Sequence, residues 1–188
     1  MARNYTLKKR AQSQAQTRQR IVEAAVDLHS TVGPANTTVS MIAEKAGVQR
    51  HTFYAHFTDE WSVLLACSGH VMEKDPLPDA QPWAALETAE ERLRAGLRAI
   101  YDWYERNAEL MACVLRDAEH HELTRKITEF RFAAPMARYV EVLSAGLKSK
   151  QRAMLHLALS YHTWRTLTRE AGLKQAEAVK AMTAAVIA

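Results

Sequence analysis

The stretch "TTVSMIAEKAGVQRHTFYAHF", residues 37–57, decides the fold of the N-terminal part of the chain. Thr38 is a favourable N-cap residue directly before an apolar run, so a helix is predicted to begin after it. Gly47 is predicted to end that helix in a left-handed conformation, which costs glycine little. A second short helix is predicted over Arg50–His56. Two helices joined by such a turn are typical of a helix-turn-helix, whose second helix enters the major groove of DNA.

The second helix is dense in polar and aromatic side chains. If Phe53 points into the core, its polar neighbours lie outside the buried stripe. Arg suits guanine, Gln suits adenine and a Thr methyl suits the thymine methyl, whereas Tyr and His can donate to phosphates. An ordinary helical hairpin with exposed polar residues remains the alternative. The predicted DNA contacts are Thr38, Gln49, Arg50, His51, Thr52, Tyr54 and His56.

Positive charge is concentrated at the N-terminal end. The chain carries a net charge of +4, and residues 1–57 hold eight Lys and Arg against three Asp and Glu. Residues 1–20 contain no acid, which indicates a polyanionic partner at this end unless the segment is simply a solvated tail. Residues 1–16 are therefore predicted to form a basic arm that wraps the DNA backbone or enters the minor groove. Its basic residues are Arg3, Lys8, Lys9 and Arg10.

The remaining pattern predicts an all-α protein of about nine helices. Gly and Pro separate long stretches with helical spacing of apolar residues, and no stretch alternates like a strand. An N-terminal three-helix helix-turn-helix domain over residues 17–57 is followed by a C-terminal helical bundle. The segment "DPLPDAQPW", residues 75–83, marks the boundary between a connecting helix over 58–74 and a domain over 75–188. In that domain helices are expected over 84–106, 109–118, 123–147, 149–170 and 175–187, with Pro135 kinking or interrupting the third.

The longer stretch "TTVSMIAEKAGVQRHTFYAHFTDEWSVLL" resembles the N-terminal region of the TetR family of bacterial transcriptional repressors. The resemblance extends over about residues 17–70. In that family a Thr opens helix two, a turn follows, and an aromatic motif closes the recognition helix. The matching positions are Thr38, Ile42-Ala43, Ala46-Gly47-Val48, Thr52-Phe53-Tyr54 and His56-Phe57.

Three positions depart from the family pattern. Gln49 stands where the family usually has Ser or Thr, and His51 stands where it usually has Gly. Glu60 stands where the family usually has a Lys that lies against a DNA phosphate. Because phosphate repels an acid, Glu60 is left out of the predicted contacts.

The resemblance implies a homodimer that represses transcription and leaves a palindromic operator when a small molecule binds the C-terminal domain. One short recognition helix makes too few base contacts for a unique genomic site, so two copies on a twofold axis are expected independently. The last two helices are apolar on more than one face and are predicted to form the homodimer interface. The alternative is that both helices complete the core of the monomer.

The small-molecule site is predicted from aromatic and Met side chains in the C-terminal domain, a composition that core packing explains equally well. An interruption at Pro135 would make room beside neighbouring helices. The effector is unknown and no cofactor is expected. The candidate ligand-binding residues are Trp103, Met111, Phe130, Tyr139 and His162.

Other classes of site are not predicted. Cys67 and Cys113 lack the spacing of a zinc site or a disulfide framework, and adjacent His120 and His121 point about 100° apart on a helix, so no metal site is expected. No nucleophile elbow, phosphate loop or paired-carboxylate motif indicates an enzyme. No signal peptide or membrane span is recognised, which favours a cytoplasmic protein. Two alternatives stay open: a small helical enzyme or carrier with an incidental helix-turn-helix, and a DNA-binding protein that acts through partner proteins without ligand control.

Overall fold

The structure is a computed structural model that describes residues 2–188, with side chains from residue 8 onward. Every regular element in this range is helical, which confirms the all-α prediction. Eleven α-helices occur over these residues, where about nine were expected, together with a 3-10 turn at Pro34–Asn36 and a π-helical turn at Thr166–Glu170. The α-helices are α1 (Ala2–Thr31), α2 (Val39–Lys45), α3 (Arg50–His56), α4 (Glu60–Lys74), α5 (Gln81–Ala84), α6 (Ala89–Arg106), α7 (Ala108–Ala118), α8 (Glu122–Leu143), α9 (Ser149–Ala158), α10 (Tyr161–Arg165) and α11 (Gln175–Ile187).

The chain divides into two compact units. The first comprises the described residues through Lys74 together with Ala112–Glu129, and the second comprises Asp75–Met111 and Phe130–Ala188. The segment Ala112–Glu129 lies within the predicted C-terminal domain over residues 75–188, but it groups with the N-terminal helices. Helices α7 and α8 each contribute residues to both units.

The core of the first unit is built from the apolar stripes of α1 to α4. In each helix the apolar positions recur three or four residues apart, which places them on one face. Fully burying a Val, Ile or Phe side chain stabilises the fold by about 1.5–3 kcal/mol relative to leaving it in water. The buried members are Ile21, Val22, Ala24, Ala25, Ile42, Ala46, Phe53, Phe57, Val63 and Cys67.

Helix α1 begins at Ala2, about fifteen residues before the expected start near Thr17. The predicted N-terminal arm is therefore helical, and its described residues from Lys8 through Gln16 are exposed. Lys, Arg, Ala and Gln dominate this segment, and these residue types have high helix propensity. No Gly or Pro precedes Gly33, so nothing in the sequence ends the helix before that point.

The second unit is organised around α6, which packs against α5, α10 and α11. Thr88 and Glu91 form a capping box at its start. The hydroxyl of Tyr101 donates to the carbonyl of Ala158 at 2.9 Å, and the hydroxyl of Tyr104 donates to that of Leu159 at 2.7 Å. Burial raises the pKa of both phenols, so they remain neutral donors.

The prediction of one continuous helix over residues 149–170 is wrong, because α9 ends at Ala158 and a new helix, α10, begins at Tyr161. Ser160 causes the restart: its hydroxyl accepts a hydrogen bond from the His162 backbone N–H at 3.2 Å. Lys148 is the N-cap of α9, and the Gln151 side chain accepts from the Lys148 N–H at 2.9 Å. Apolar spacing continues across this break, which is why periodicity alone missed it.

Helix α8 continues through Pro135 without interruption. A proline removes only one backbone donor, and α8 extends on both sides of it as one helix of 22 residues. Over the described residues, no helix is both long and apolar enough to cross a membrane.

Candidate nucleic-acid interface

The turn between α2 and α3 has the predicted geometry. The Thr38 hydroxyl accepts from the Met41 backbone N–H at 3.2 Å and so caps α2. Gly47 has φ of +64°, and the Val48 N–H donates to the Ala43 carbonyl at 2.9 Å. These contacts hold α3 close against α2 and direct its first turn away from the core.

Helix α3 is anchored by two buried rings. Phe53 and Phe57 are each 1% exposed, and their ring centroids lie 5.7 Å apart. With this face fixed inward, the remaining side chains of the helix face outward. Arg50, His51 and Tyr54 are exposed.

The other predicted contact residues lie around this surface. Thr38 and Gln49 are exposed, whereas Thr52 and His56 are partly buried. Gln49 occupies the N-cap of α3, but its side chain makes no capping hydrogen bond. A Ser or Thr at this position would use its hydroxyl on the backbone. The departure at Gln49 therefore leaves an amide at the N-terminal end of α3.

Basic side chains of α1 extend the polar surface. Lys8, Lys9 and Arg10 are exposed, and the side chain of Arg3 lies outside the described residues. The guanidinium carbon of Arg18 lies 4.8 Å from the Phe57 ring centroid. An Nη atom of Arg20 would lie 3.9 Å from a Cβ added at Gly47.

Arg18 and Arg20 are therefore additional basic residues beside α3 and the turn. Sequence reasoning counted their charges but did not assign them to the interface. Lys45 contributes less, since it forms an ion pair with Asp27. Arg18 precedes Ile21 by three residues and Ala25 by seven, so helical spacing could have placed it next to the apolar face of α1.

The side chain of Glu60, which departs from the family pattern, has a partner within the first unit. Its carboxylate lies 3.3 Å from Nε2 of His121, and the other ring nitrogen of His121 lies 2.7 Å from the Thr124 hydroxyl. Asp59, directly before it, accepts from the Ser62 backbone N–H at 2.7 Å and caps α4. Glu60 thus contacts a side chain of the first unit, and Asp59 caps α4.

A buried carboxylate lies at the C-terminal end of α1. Asp117 is 0% exposed, and it accepts hydrogen bonds from the Arg116 guanidinium at 2.8 Å and the Ala35 backbone N–H at 2.9 Å. Burial raises the pKa of this carboxyl, but the two hydrogen bonds and the nearby charges of Arg116 and His120 together lower the pKa, so Asp117 is ionised. His29 is also buried, and burial lowers its pKa from 6.5 to about 4. His29 is therefore neutral near pH 7.

The candidate ligand-binding residues of the second unit differ in exposure. Trp103, Met111 and Tyr139 are buried, whereas Phe130 and His162 are exposed. The Trp103 indole donates to the Asp75 carbonyl at 3.0 Å, and the Tyr139 hydroxyl donates to the Pro78 carbonyl at 2.6 Å. The polar atoms of these two rings are thus engaged by the segment before α5.

The last helices have one buried and one exposed face. Buried α11 residues include Ala178, Val179, Met182 and Val186. Ala181, Ala184 and Ile187 form an exposed face of small and apolar residues, and Leu157 of α9 is 51% exposed. In the part of the chain that is described, no group of three His, Cys, Asp or Glu side chains lies close enough to hold a metal ion.

Comparison with known proteins agrees with this geometry. Residues 21–67 match the model of the tetR family of bacterial regulatory proteins. The chain is 38% identical over 88 residues to the HTH-type transcriptional regulator SrpR of Pseudomonas putida, covering 44% of this chain and 41% of SrpR. It has the same identity over the same length to TtgW, an uncharacterized HTH-type transcriptional regulator also of Pseudomonas putida, covering 44% of this chain and 66% of TtgW. Both matches span less than two thirds of the relative's length.

The fold has a solved counterpart in the transcriptional regulator FadR from Bacillus subtilis, whose structure is a complex with stearoyl-CoA. The two chains are 18% identical with a TM-score of 0.60, over 90% of this chain and 97% of FadR. Residues 21–67 therefore carry the DNA-binding region of the tetR family of bacterial regulatory proteins, in a chain whose fold is shared by solved transcriptional regulators.

Proposed function

We propose that the protein is a homodimeric transcriptional repressor that binds a palindromic DNA operator through α3 and releases it when a small molecule binds the second unit. The observation that carries the proposal is the outward polar face of α3, held by buried Phe53 and Phe57. The similarity to SrpR and TtgW, both named HTH-type transcriptional regulators, supports it. The family model that matches residues 21–67 and the two named relatives are those of transcriptional regulators, which favours a regulator over the enzyme alternative.

The residues of α3 divide into two roles. Arg50 and Gln49 suit guanine and adenine edges in the major groove, and the methyl of Thr52 suits thymine. Thr38, His51, Tyr54 and His56 suit phosphates or neighbouring base edges. The exposed Lys8, Lys9 and Arg10 add sequence-independent attraction to phosphates, now from a helix rather than a flexible arm.

The short length of the recognition helix α3 supports dimerisation. A seven-residue helix covers only a few base pairs, so a twofold pair with half-sites about 34–36 Å apart supplies the missing contacts. The exposed face of α11 with Leu157 suits a second copy, because its small residues permit close helix packing.

Effector control is supported more indirectly. FadR of Bacillus subtilis was solved with stearoyl-CoA, which supports a small-molecule effector for this fold. Trp103, Met111 and Tyr139 are the buried candidates for its contacts, and Phe130 and His162 are the exposed ones. Helices α7 and α8 each contribute residues to both units, which supports their carrying a change at the effector site to the DNA-binding helices.

The test is selection of duplexes from a randomised library, followed by fluorescence anisotropy with the selected duplex and an unselected one of equal length. Arg50→Ala is expected to cost about 1–3 kcal/mol on the selected duplex and little on the other. Arg94→Ala is the matched control, since Arg94 is an exposed Arg of the second unit that pairs with Glu90. Failure to enrich any sequence, or equal losses for both variants, would refute the proposal.

A further inference from the structure

One face of α7 binds the end of α1 and the loop that follows it. Cys113, Arg116 and Asp117 are spaced three and four residues apart, so they share that face. The Cys113 thiol donates to the Ser30 carbonyl at 3.3 Å, and the Arg116 guanidinium donates to the Val32 carbonyl at 3.0 Å. All these residues belong to the first unit.

These contacts satisfy backbone groups that a helix end leaves without partners. The last carbonyls of an α-helix have no intrahelical donor. Here α7 supplies donors to Ser30 and Val32, and the Asp117 carboxylate accepts from the Ala35 N–H at 2.9 Å. A carboxylate that is 0% exposed would be costly without such partners, so the loop and Asp117 stabilise each other.

Gly33 shows how closely the loop and α7 approach. Its φ is +97°, and a Cβ at this position would lie under 3.0 Å from both an Arg116 Nη and an Asp117 carboxylate oxygen. A side chain here would therefore push the loop away from the Arg116–Asp117 pair. Gly146 has a similar φ of +80°, but a Cβ there would meet nothing within 4 Å.

The loop is the direct connection from α1 to the helix-turn-helix. Three residues separate Ala35 from Val39, the first residue of α2. Apolar burial, which holds α2 and α3 on α1, is not directional, whereas hydrogen bonds are. The polar contacts of α7 therefore restrict the orientation of α2 in a way that the apolar core does not.

We propose that Arg116 and Asp117 are positioning residues for DNA binding, which hold the Val32–Ala35 loop so that α2 and α3 present their DNA-binding face in a fixed orientation. The inference rests on the proposed function. It adds two residues that lie about 60 positions beyond the recognition helix in sequence and do not themselves contact DNA.

The first test compares Arg116→Ala with Arg106→Ala by anisotropy on the selected and unselected duplexes. Both side chains are 53% exposed and each pairs with an Asp, but Arg106 pairs with Asp75 in the second unit. Arg116→Ala is expected to weaken binding to the selected duplex about tenfold, with a smaller effect on the unselected one. The Arg116 guanidinium donates both to Asp117 and to the Val32 carbonyl. Arg116→Lys keeps a positive charge that can donate to one of these two groups, so it is expected to recover part of the lost affinity.

A second pair of variants tests the same contact from the loop. Gly33→Ala and Gly146→Ala impose similar backbone strain, but only Gly33→Ala meets the Arg116–Asp117 pair. Gly33→Ala is expected to reproduce the loss of Arg116→Ala, whereas Gly146→Ala binds as the unmodified chain does. A stabilising osmolyte is expected to raise the melting temperature of Arg116→Ala without restoring its affinity.

The outcomes separate the two proposals. If the unmodified chain binds the selected duplex and Arg116→Ala matches Arg106→Ala, the positioning role is overturned and the proposed function stands. Restoration of Arg116→Ala by osmolyte also overturns the positioning role, because the loss would then be one of folding. If the unmodified chain selects no sequence, the proposed function fails and the positioning role fails with it.

Discussion

His29 makes the stability of the protein depend on pH in a window set by a single buried imidazole. It is 5% exposed, and burial lowers its pKa from 6.5 to about 4. Between these values the unfolded chain binds a proton that the folded chain does not, so acidification favours unfolding. Each pKa unit corresponds to about 1.4 kcal/mol, so the free energy of unfolding is expected to fall by about 3 kcal/mol between pH 7 and pH 4.

The measurement is urea denaturation followed by circular dichroism at half-unit pH steps from 7 to 4. His29→Gln removes the titrating group and is expected to flatten the pH dependence in this window. His162→Gln is the matched control, because His162 is exposed and its removal leaves the buried imidazole in place. Buried Asp117, whose pKa is lowered, adds a further loss only as the pH falls through and below its unfolded value of 3.8.

Two results would refute this reasoning. One is stability that stays constant from pH 7 to pH 4 in the unmodified chain. The other is a decline that His29→Gln leaves unchanged, since the protons would then bind elsewhere.

Three further variants test the core, the DNA-binding face and the dimer. Phe53→Ala removes a ring that is 1% exposed and is expected to cost about 3–5 kcal/mol in urea denaturation, whereas Phe130→Ala, at a ring 61% exposed, should cost far less. Equal costs would place Phe53 outside the core. Tyr54→Phe removes a hydroxyl assigned to phosphate and is expected to weaken selected and unselected duplexes alike; an effect on the selected duplex alone would assign the hydroxyl to a base. Ala184→Arg places a charge on the exposed face of α11 and should give monomers in sedimentation velocity, and persistence of a dimer would move the interface elsewhere.

Local signals in the sequence are sufficient to predict the helix-turn-helix. The Thr38 cap, the left-handed Gly47 and the bounds of α3 all follow from short-range rules for caps, turns and helical spacing. The start of α1 does not follow from helical spacing, because the apolar stripe begins only at Ile21 whereas the helix begins at Ala2. High helix propensity extends it to Ala2 without any packing signal.

Short-range rules do not predict contacts between residues that are distant in sequence. Nothing near Asp117 indicates that its carboxylate lies against Ala35, 82 residues away. Likewise, the pairing of Glu60 with His121 depends on how Ala112–Glu129 joins the first unit. Charged residues are normally exposed, so a fully buried Asp with compensating hydrogen bonds can be recognised only once the chain is folded.

Sequence-specific DNA binding is expected to depend most on Arg50 reaching a guanine edge from the outward face of α3. The most direct measurement is the affinity of the unmodified chain and of Arg50→Ala for selected duplexes in which single guanines are replaced by 7-deazaguanine, which lacks the N7 acceptor. We expect one position at which the replacement weakens DNA binding by the unmodified chain but has no further effect on Arg50→Ala. Additive losses at every guanine would contradict it, since Arg50 would then contact none of them.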